Sequence, residues 1–235
     1  MPAYTESDLR YFREREELLK RYPSPNLWFP IDNWPLFAGV MNIARFLSIY
    51  ELIKKVIYLP GHLCELGCWN GTNLVFMAKV FQILRSKDYT KVFGFDSFEG
   101  LEEFGGADIS VDTKTDYNYG GDLLRLRDIL KLYSLDDSVN IINGDILKTL
   151  PEFLEEKKDI RFSFIYFDAD LYAPTKLGIE LLWPKLLSGG IMVFDEYNDV
   201  DFPGETTAVH EVLGESVELF SVPNTRQPTA YLVKE

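Results

Sequence analysis

The chain of 235 residues predicts an open, mostly parallel α/β sheet of seven strands, with helices on both faces and an antiparallel hairpin at the C-terminal end. Three observations carry this. After residue 60, short β-branched and aromatic runs alternate with segments of helical period, the pattern that builds a parallel sheet covered on both sides. The last two strand runs are separated only by Pro223 to Pro228, too short a connection for a parallel crossover. Acids and glycines gather just after the strand runs, where open α/β sheets receive ligands.

The elements follow in order. Asp8 to Arg21 carries Leu9, Phe12, Leu18 and Leu19 among charges and predicts a surface helix. Tyr22 to Pro35 is interrupted by four prolines and predicts irregular chain. A helix over Phe37 to Tyr58 leads through Pro60-Gly61 into the first strand, His62 to Leu66. Then come a helix at Gly71 to Arg85, a strand at Val92 to Phe95, a helix at Asp122 to Tyr133 and a strand at Val139 to Ile142. The alternation continues with a helix at Ile146 to Glu156, a strand at Phe162 to Phe167, a helix at Thr175 to Leu187 and a strand at Ile191 to Phe194. Ser188-Gly189-Gly190 reads as the glycine stop of that last helix. A helix at Glu205 to Leu213 precedes the paired strands Ser216 to Val222 and Thr229 to Val233. Residues 1–60 therefore read as a helical and irregular extension, a lid or an oligomer contact, and residues 61–235 as the ligand-binding domain.

Composition removes several function classes. A hydrophobic content of 46% supports a substantial core, and a formal charge of −13 repels nucleic-acid backbones and anionic lipid alike. The longest uninterrupted apolar run, Leu74 to Ala78, is five residues, far short of the roughly 20 that cross a bilayer. The start of the chain has neither the basic nor the apolar part of a secretory signal, so a cytoplasmic address is expected. Cys64 and Cys68 have no second pair and read as free thiols.

The first strand runs into Glu65-Leu66-Gly67-Cys68-Trp69-Asn70-Gly71-Thr72. Gly67 and Gly71 fit a turn where backbone comes close to a ligand. Trp69 fills the place a pyrophosphate needs in a dinucleotide fingerprint, and no G-x-x-x-x-G-K-[ST] loop exists. S-adenosylmethionine suits this turn better, because its amino-acid end has no pyrophosphate and its ammonium welcomes an acid such as Glu65. Asp96, followed by Ser97 at the second strand tip, is placed to accept hydrogen bonds from ribose hydroxyls. Asp145, in Asn143-Gly144-Asp145, is placed for the adenine edge, although this is also ordinary turn chemistry.

The fourth strand ends in Asp168-Ala169-Asp170-Leu171-Tyr172 and the fifth in Asp195-Glu196-Tyr197. If the two strands are neighbours, four carboxylates converge, and they repel unless something positive sits among them. Oxygen ligands with no nearby His or Cys favour a hard cation, Mg²⁺, Mn²⁺ or Ca²⁺, over zinc. Helix capping is the bland alternative for any one of them.

The segments Glu65 to Gly71, Phe95-Asp96-Ser97-Phe98-Glu99-Gly100-Leu101, Asp168 to Tyr172 with Thr175, and Gly189-Gly190 followed by Asp195-Glu196-Tyr197 together resemble the macrocin and mycinamicin (TylF/MycF-type) O-methyltransferases. The likeness covers about Ile43 to Leu213. It implies a class I S-adenosylmethionine-dependent methyltransferase with a Rossmann-like fold that is metal-dependent and acts on sugar hydroxyls of natural products. Carried over, Asp168, Asp195 and Glu196 match the metal ligands, Asp170 the general base, Asp96 the ribose acid, and Glu65 and Gly67 the cofactor loop. Gly71, Ser97, Asp145 and Asp168 complete the expected cofactor shell. The chain departs from the family where Asn70 replaces a common Arg, Ala169 a Gly, Glu196 an Asp and Glu102 a Pro.

The resemblance implies Mg²⁺-assisted O-methylation of a small acceptor with neighbouring hydroxyls. His210 is the rival base, and His62, at the far end of the first strand, reads as structural. The acceptor is expected to meet three weakly periodic segments: 100–121 with Tyr117 and Tyr119, 198–205, and the aromatics Trp28, Phe29, Trp34 and Phe37. Two other readings stay open. A nicotinamide-dependent oxidoreductase is opposed by Trp69, and a noncatalytic S-adenosylmethionine-binding protein is opposed by the acids at two strand tips.

Overall fold

The computed structural model describes Lys20 and residues 28–85, 89–101, 105, 107–108 and 119–235. The expected helix at Asp8 to Arg21 lies, except for Lys20, outside the described residues. Two short helices, α1 (Trp28–Asp32) and α2 (Trp34–Phe37), stand where irregular chain was expected. Pro30 and Pro35 sit in their first turns, where the missing N–H has no helical partner to lose. Then come α3 (Val40–Val56), β1 (His62–Leu66), α4 (Thr72–Leu84), β2 (Val92–Asp96), α5 (Leu123–Leu132), β3 (Val139–Asn143), α6 (Ile146–Glu156) and β4 (Phe162–Phe167). They are followed by α7 (Tyr172–Leu182), a 3₁₀ turn (Trp183–Lys185), β5 (Leu186–Phe194), α8 (Pro203–Leu213), β6 (Phe220–Ser221) and β7 (Ala230–Val233).

The seven strands lie in the order β3-β2-β1-β4-β5-β7-β6. β1 to β5 pair in parallel, and β7 runs antiparallel to both β5 and β6. The expected hairpin is present, but β6 is shorter than the expected Ser216 to Val222. Val217 instead donates to the Gly214 carbonyl at 3.2 Å in a turn after α8.

One boundary is corrected. The helix expected to reach Leu187 ends at Leu182, and Ser188-Gly189-Gly190 lies within β5. Pro184 has no N–H to continue an α-helix, so the chain tightens to 3₁₀ and enters the sheet early. Between the pairs Phe162↔Leu186 and Phe164↔Ile191, β5 advances five residues where β4 advances two. The surplus bulges outward, and Gly189 takes φ +77°, which glycine adopts without Cβ strain.

Both faces of the sheet are buried, which explains the nearly continuous apolar strands. On one face Leu63, Phe164, Tyr166, Ile191 and Val193 pack under α3, α4 and α5, with Ile49, Ile53, Leu74, Met77 and Leu126 among the partners. On the other, Phe95, Ile165, Phe167, Met192 and Phe194 pack under α6, α7 and α8 through Leu150, Phe153, Ile179, Leu182 and Val209. Among the described residues no helix is long and apolar enough to cross a membrane.

Register then builds the site. Leu66 pairs with both Phe95 and Phe167, and Phe167 pairs with Phe194. The residues one step later, Gly67, Asp96, Asp168 and Asp195, therefore share one edge. Backbone bonds continue one rung past the strands: Gly67 N–H to Phe95 at 2.9 Å, Asp168 N–H to Leu66 at 2.8 Å, and Asp195 N–H to Phe167 at 3.0 Å.

Candidate active site

The glycine turn after β1 is shaped by contact and charge together. Gly67 has φ +85°, and a Cβ there would sit 2.0 Å from the Asp168 carbonyl oxygen. The turn therefore passes directly against the tip of β4. Asp96 organises the next residues: one carboxylate oxygen accepts the N–H groups of Cys68 and Trp69, each at 2.6 Å, and the other accepts that of Phe98 at 2.6 Å. This grip holds Trp69 at φ +45°, uncommon for a bulky residue. Gly71, at φ +78°, begins α4, and Leu126 fills the space a side chain there would need.

Other expected cofactor residues are held by local bonds. Ser97 Oγ accepts from Glu99 N–H at 3.1 Å, and Asp145 caps α6 by accepting from Leu147 N–H at 2.9 Å. Both face a cavity of about 920 Å³, with Gly67, Trp69, Asp96, Asp168, Asp170, Asp195 and Glu196 also in its wall. Glu65 is buried beneath that wall. Asn70, where an Arg was the common residue of the resemblance, accepts from the Arg125 guanidinium at 2.5 Å, so α5 supplies a cation at this point.

Burial pushes the Glu65 carboxyl up to about 8, against the opposing pull of Arg45 and Asn73. Between about pH 4.5 and 8 the folded chain keeps this proton while the unfolded chain releases it, so stability falls as pH rises through that window. Glu65→Gln has no proton to release. Its melting temperature at pH 8.5 is expected to exceed wild type by about 5 °C, with convergence below pH 5. Parallel pH curves for the two proteins in scanning calorimetry would contradict buried, protonated Glu65.

β4 and β5 bring the four expected acids together. Asp168, Asp195 and Glu196 each offer an oxygen within 4.8 Å of the others. Asp168 Oδ2 accepts from Arg45 Nη2 at 2.9 Å and Asn73 Nδ2 at 3.0 Å. Asp195 Oδ2 accepts from Arg45 Nη1 at 3.2 Å, and its Oδ1 accepts from the Tyr166 hydroxyl. Glu196 Oε1 accepts from Gln227 Nε2 at 2.6 Å, while its Oε2 is buried without a partner. Behind them Glu205, fully buried at the start of α8, accepts the Glu196 N–H at 2.9 Å and leaves its own Oε2 unpartnered.

Asp170 is 9% exposed and sits at φ +60°, so the turn before α7 presents it to the cavity at the expense of local strain. Burial and the Asp195 charge push its carboxyl up to about 7, opposed by the adjacent Glu196 carboxyl and the Arg45 charge. The same two causes raise Asp168, Glu196 and Glu205 well above the ordinary carboxylate range. Arg45 is held firmly charged: burial works against the cation, and Asp195, Tyr166 and Asp168 outweigh it.

Arg45, Asn73, Tyr166 and Gln227 were not expected as site residues, and Glu205, expected in the acceptor segment 198–205, instead sits behind Glu196. His210 Nε2 lies 2.9 Å from the Tyr197 hydroxyl, and the ring is not in the cavity wall. His62 Nδ1 accepts from Lys91 N–H at 3.1 Å at the opposite end of β1. Cys64 and Cys68 are buried free thiols. Of the expected acceptor segments, Tyr119 meets Trp69 edge to face at 6.1 Å and Phe202 and Asp201 line the cavity. Trp34 packs edge-on to Phe46. Tyr117 and the side chains of Trp28 and Phe29 lie outside what is described.

Comparison with known proteins gives one family. The family model described as macrocin-O-methyltransferase (TylF) matches residues 15–212. The chain is similar to 8-demethyl-8-(2,3-dimethoxy-alpha-L-rhamnosyl)-tetracenomycin-C 4'-O-methyltransferase of Streptomyces olivaceus, 31% identical over 70% of this chain and 65% of that one. It is also similar to mycinamicin III 3''-O-methyltransferase of Micromonospora griseorubida, 29% identical over 77% of this chain and 72% of that one. The match to the first of these spans just under two thirds of the relative's length. Among solved structures, the calicheamicin methyltransferase CalS11 superposes with a TM-score of 0.85 at 27% identity, over 98% of this chain and 93% of that one.

Proposed function

Since the chain belongs to the macrocin-O-methyltransferase (TylF) family, we propose that it is an S-adenosylmethionine-dependent, Mg²⁺-dependent O-methyltransferase acting on a sugar hydroxyl with a neighbouring oxygen. The observation that carries this reading is the meeting of two groups of residues in one cavity: the Gly67 turn with Asp96, and the acids Asp168, Asp170, Asp195 and Glu196.

The donor set suits a hard cation. All three candidate ligands offer oxygen, and the buried Glu196 Oε2 has no hydrogen-bond donor to satisfy it. Glu196 reaches this position although it is one methylene longer than aspartate, because Gln227 and Glu205 fix it from behind. A divalent cation held by Asp168, Asp195 and Glu196 would acidify a bound hydroxyl. In this reading Asp170 accepts the hydroxyl proton, and Asp96 and the Gly67 turn hold the adenosyl donor; Glu65, expected to meet its ammonium, lies buried behind the cavity wall. The tight packing of Gly67 on Asp168 supports this reading, because in-line transfer needs the donor and acceptor sides of the site to be adjacent.

The Streptomyces olivaceus relative is named for a rhamnosyl-tetracenomycin acceptor, the Micromonospora griseorubida relative for mycinamicin III, and CalS11 is described as a TDP-rhamnose 3'-O-methyltransferase. The acceptor class is therefore a deoxysugar hydroxyl, carried either by a glycoside or by a nucleoside diphosphate. The buried thiols suit a reducing cytoplasm.

Single-turnover transfer of labelled methyl to a panel of both acceptor types, with EDTA or Mg²⁺, tests the proposal. Transfer is expected only with Mg²⁺, and Asp170→Asn is expected to slow the step about 100-fold and flatten its rise with pH. Full transfer in EDTA would remove the metal, and an unaltered rate and pH profile in Asp170→Asn would remove the base.

A further inference from the structure

We infer that Arg45 is the standing counter-ion of the acid cluster, a positioning residue that holds Asp168 and Asp195 together while lowering the site's affinity for a divalent cation. This rests on the Mg²⁺ reading above. Two nitrogens of a single guanidinium divide between the two carboxylates, at 2.9 and 3.2 Å, and the third, Nε, lies 3.3 Å from Asn73 Oδ1. Among the described residues Arg45 makes the ion pairs of both Asp168 and Asp195. Planar, bidentate geometry is what Arg supplies and Lys does not.

Two effects of Arg45 on a bound cation oppose each other. It orients Asp168 and Asp195, which favours binding; it also places a positive charge one carboxylate away from the ion, which disfavours it. The first effect is shared. Asn73 Nδ2 also holds Asp168, the Tyr166 hydroxyl also holds Asp195, and Gln227 with Glu205 fixes Glu196 independently. Among the described residues only Arg45 brings a cation into contact with these two acids. Removing it leaves the ligand geometry supported and takes away the repulsion, so the charge effect wins.

Arg45→Met and Arg45→Gln are therefore expected to bind Mg²⁺ about tenfold or more tightly than wild type in calorimetric titrations without S-adenosylmethionine. Without metal they are expected to melt below wild type, because the acids lose their counter-ion, and Mg²⁺ is expected to raise their melting temperature more than that of wild type. Arg45→Lys, which keeps the charge, is expected to bind Mg²⁺ about as wild type does. The glutamine variant keeps a polar group against Asn73 and serves if the methionine variant does not fold. Equal or weaker Mg²⁺ binding in both neutral variants, while wild type binds, would overturn the role of Arg45 and leave the metal site standing. Absence of Mg²⁺ binding in wild type and variants alike would overturn both.

Discussion

Asp168→Asn is expected to lower single-turnover methyl transfer by about a thousandfold or more while S-adenosylmethionine binding stays within a few-fold of wild type. Asp168 stands where the two halves of the site meet. Its backbone N–H belongs to the sheet, bonded to Leu66, and its carbonyl is the atom against which Gly67 packs. Neither depends on the side chain, so the donor side should survive the substitution. The carboxylate faces the other half: Oδ2 is occupied by Arg45 and Asn73, and the group belongs to the candidate ligand set with Asp195 and Glu196. An amide keeps the volume but removes the charge, and it can direct an N–H toward Arg45 or toward the cation. Calorimetry with the cofactor and quenched single-turnover assays measure the two halves separately. Transfer within tenfold of wild type would take Asp168 out of the metal site. Lost cofactor binding as the main defect would assign it to the donor side instead.

The sheet and the tips of its strands were legible because burial on both faces leaves a strong mark, an apolar run ended by a glycine or an acid. Asp168, Asp170, Asp195 and Glu196 could be singled out for that reason, and the pairing of Phe167 with Phe194 is what brings them together. The start of β5 was not legible. Gly189 and Gly190 look like a helix stop, and only the pairing with β4 and β7 reveals a bulged strand. Tyr166 reads as core in sequence, and it is core, fully buried with its hydroxyl on Asp195. Gln227 comes from a segment whose position over the strand tips is decided by tertiary packing. Arg45 did leave a signal. It lies four residues before Ile49, on the face of α3 that continues through Leu52, Ile53 and Val56 into the core. A lone cation on an apolar helical face needs a buried anion, and the acids at the strand tips are that anion.

Gly67→Ala is expected to cost about 3–5 kcal/mol of stability, roughly 6–20 °C in melting temperature, and to abolish both cofactor and Mg²⁺ binding. Two separate penalties add. The first is conformational: φ +85° is a region that an L-residue occupies at a cost of about 1–2 kcal/mol. The second is steric, since the added methyl would lie 2.0 Å from Asp168 O, 2.5 Å from Asp168 C and 2.9 Å from Ala169 Cα, all backbone atoms of the tip of β4. No rotamer change relieves a clash with backbone, so either the turn or the strand tip must move, and each carries one side of the site. Gly214→Ala separates the two penalties. Gly214 has φ +87° at the end of α8, with open space where its Cβ would be. That variant should lose only a conformational part, about 1–3 kcal/mol for φ +87° with ψ +156°, and keep full methyl transfer. The difference between the two alanine variants then measures how closely the donor turn is pressed against the acids. If Gly67→Ala loses no more stability than Gly214→Ala and still binds both ligands, the turn and the strand tip are further apart than 2.0 Å implies, and the close juxtaposition on which the proposed transfer depends is wrong.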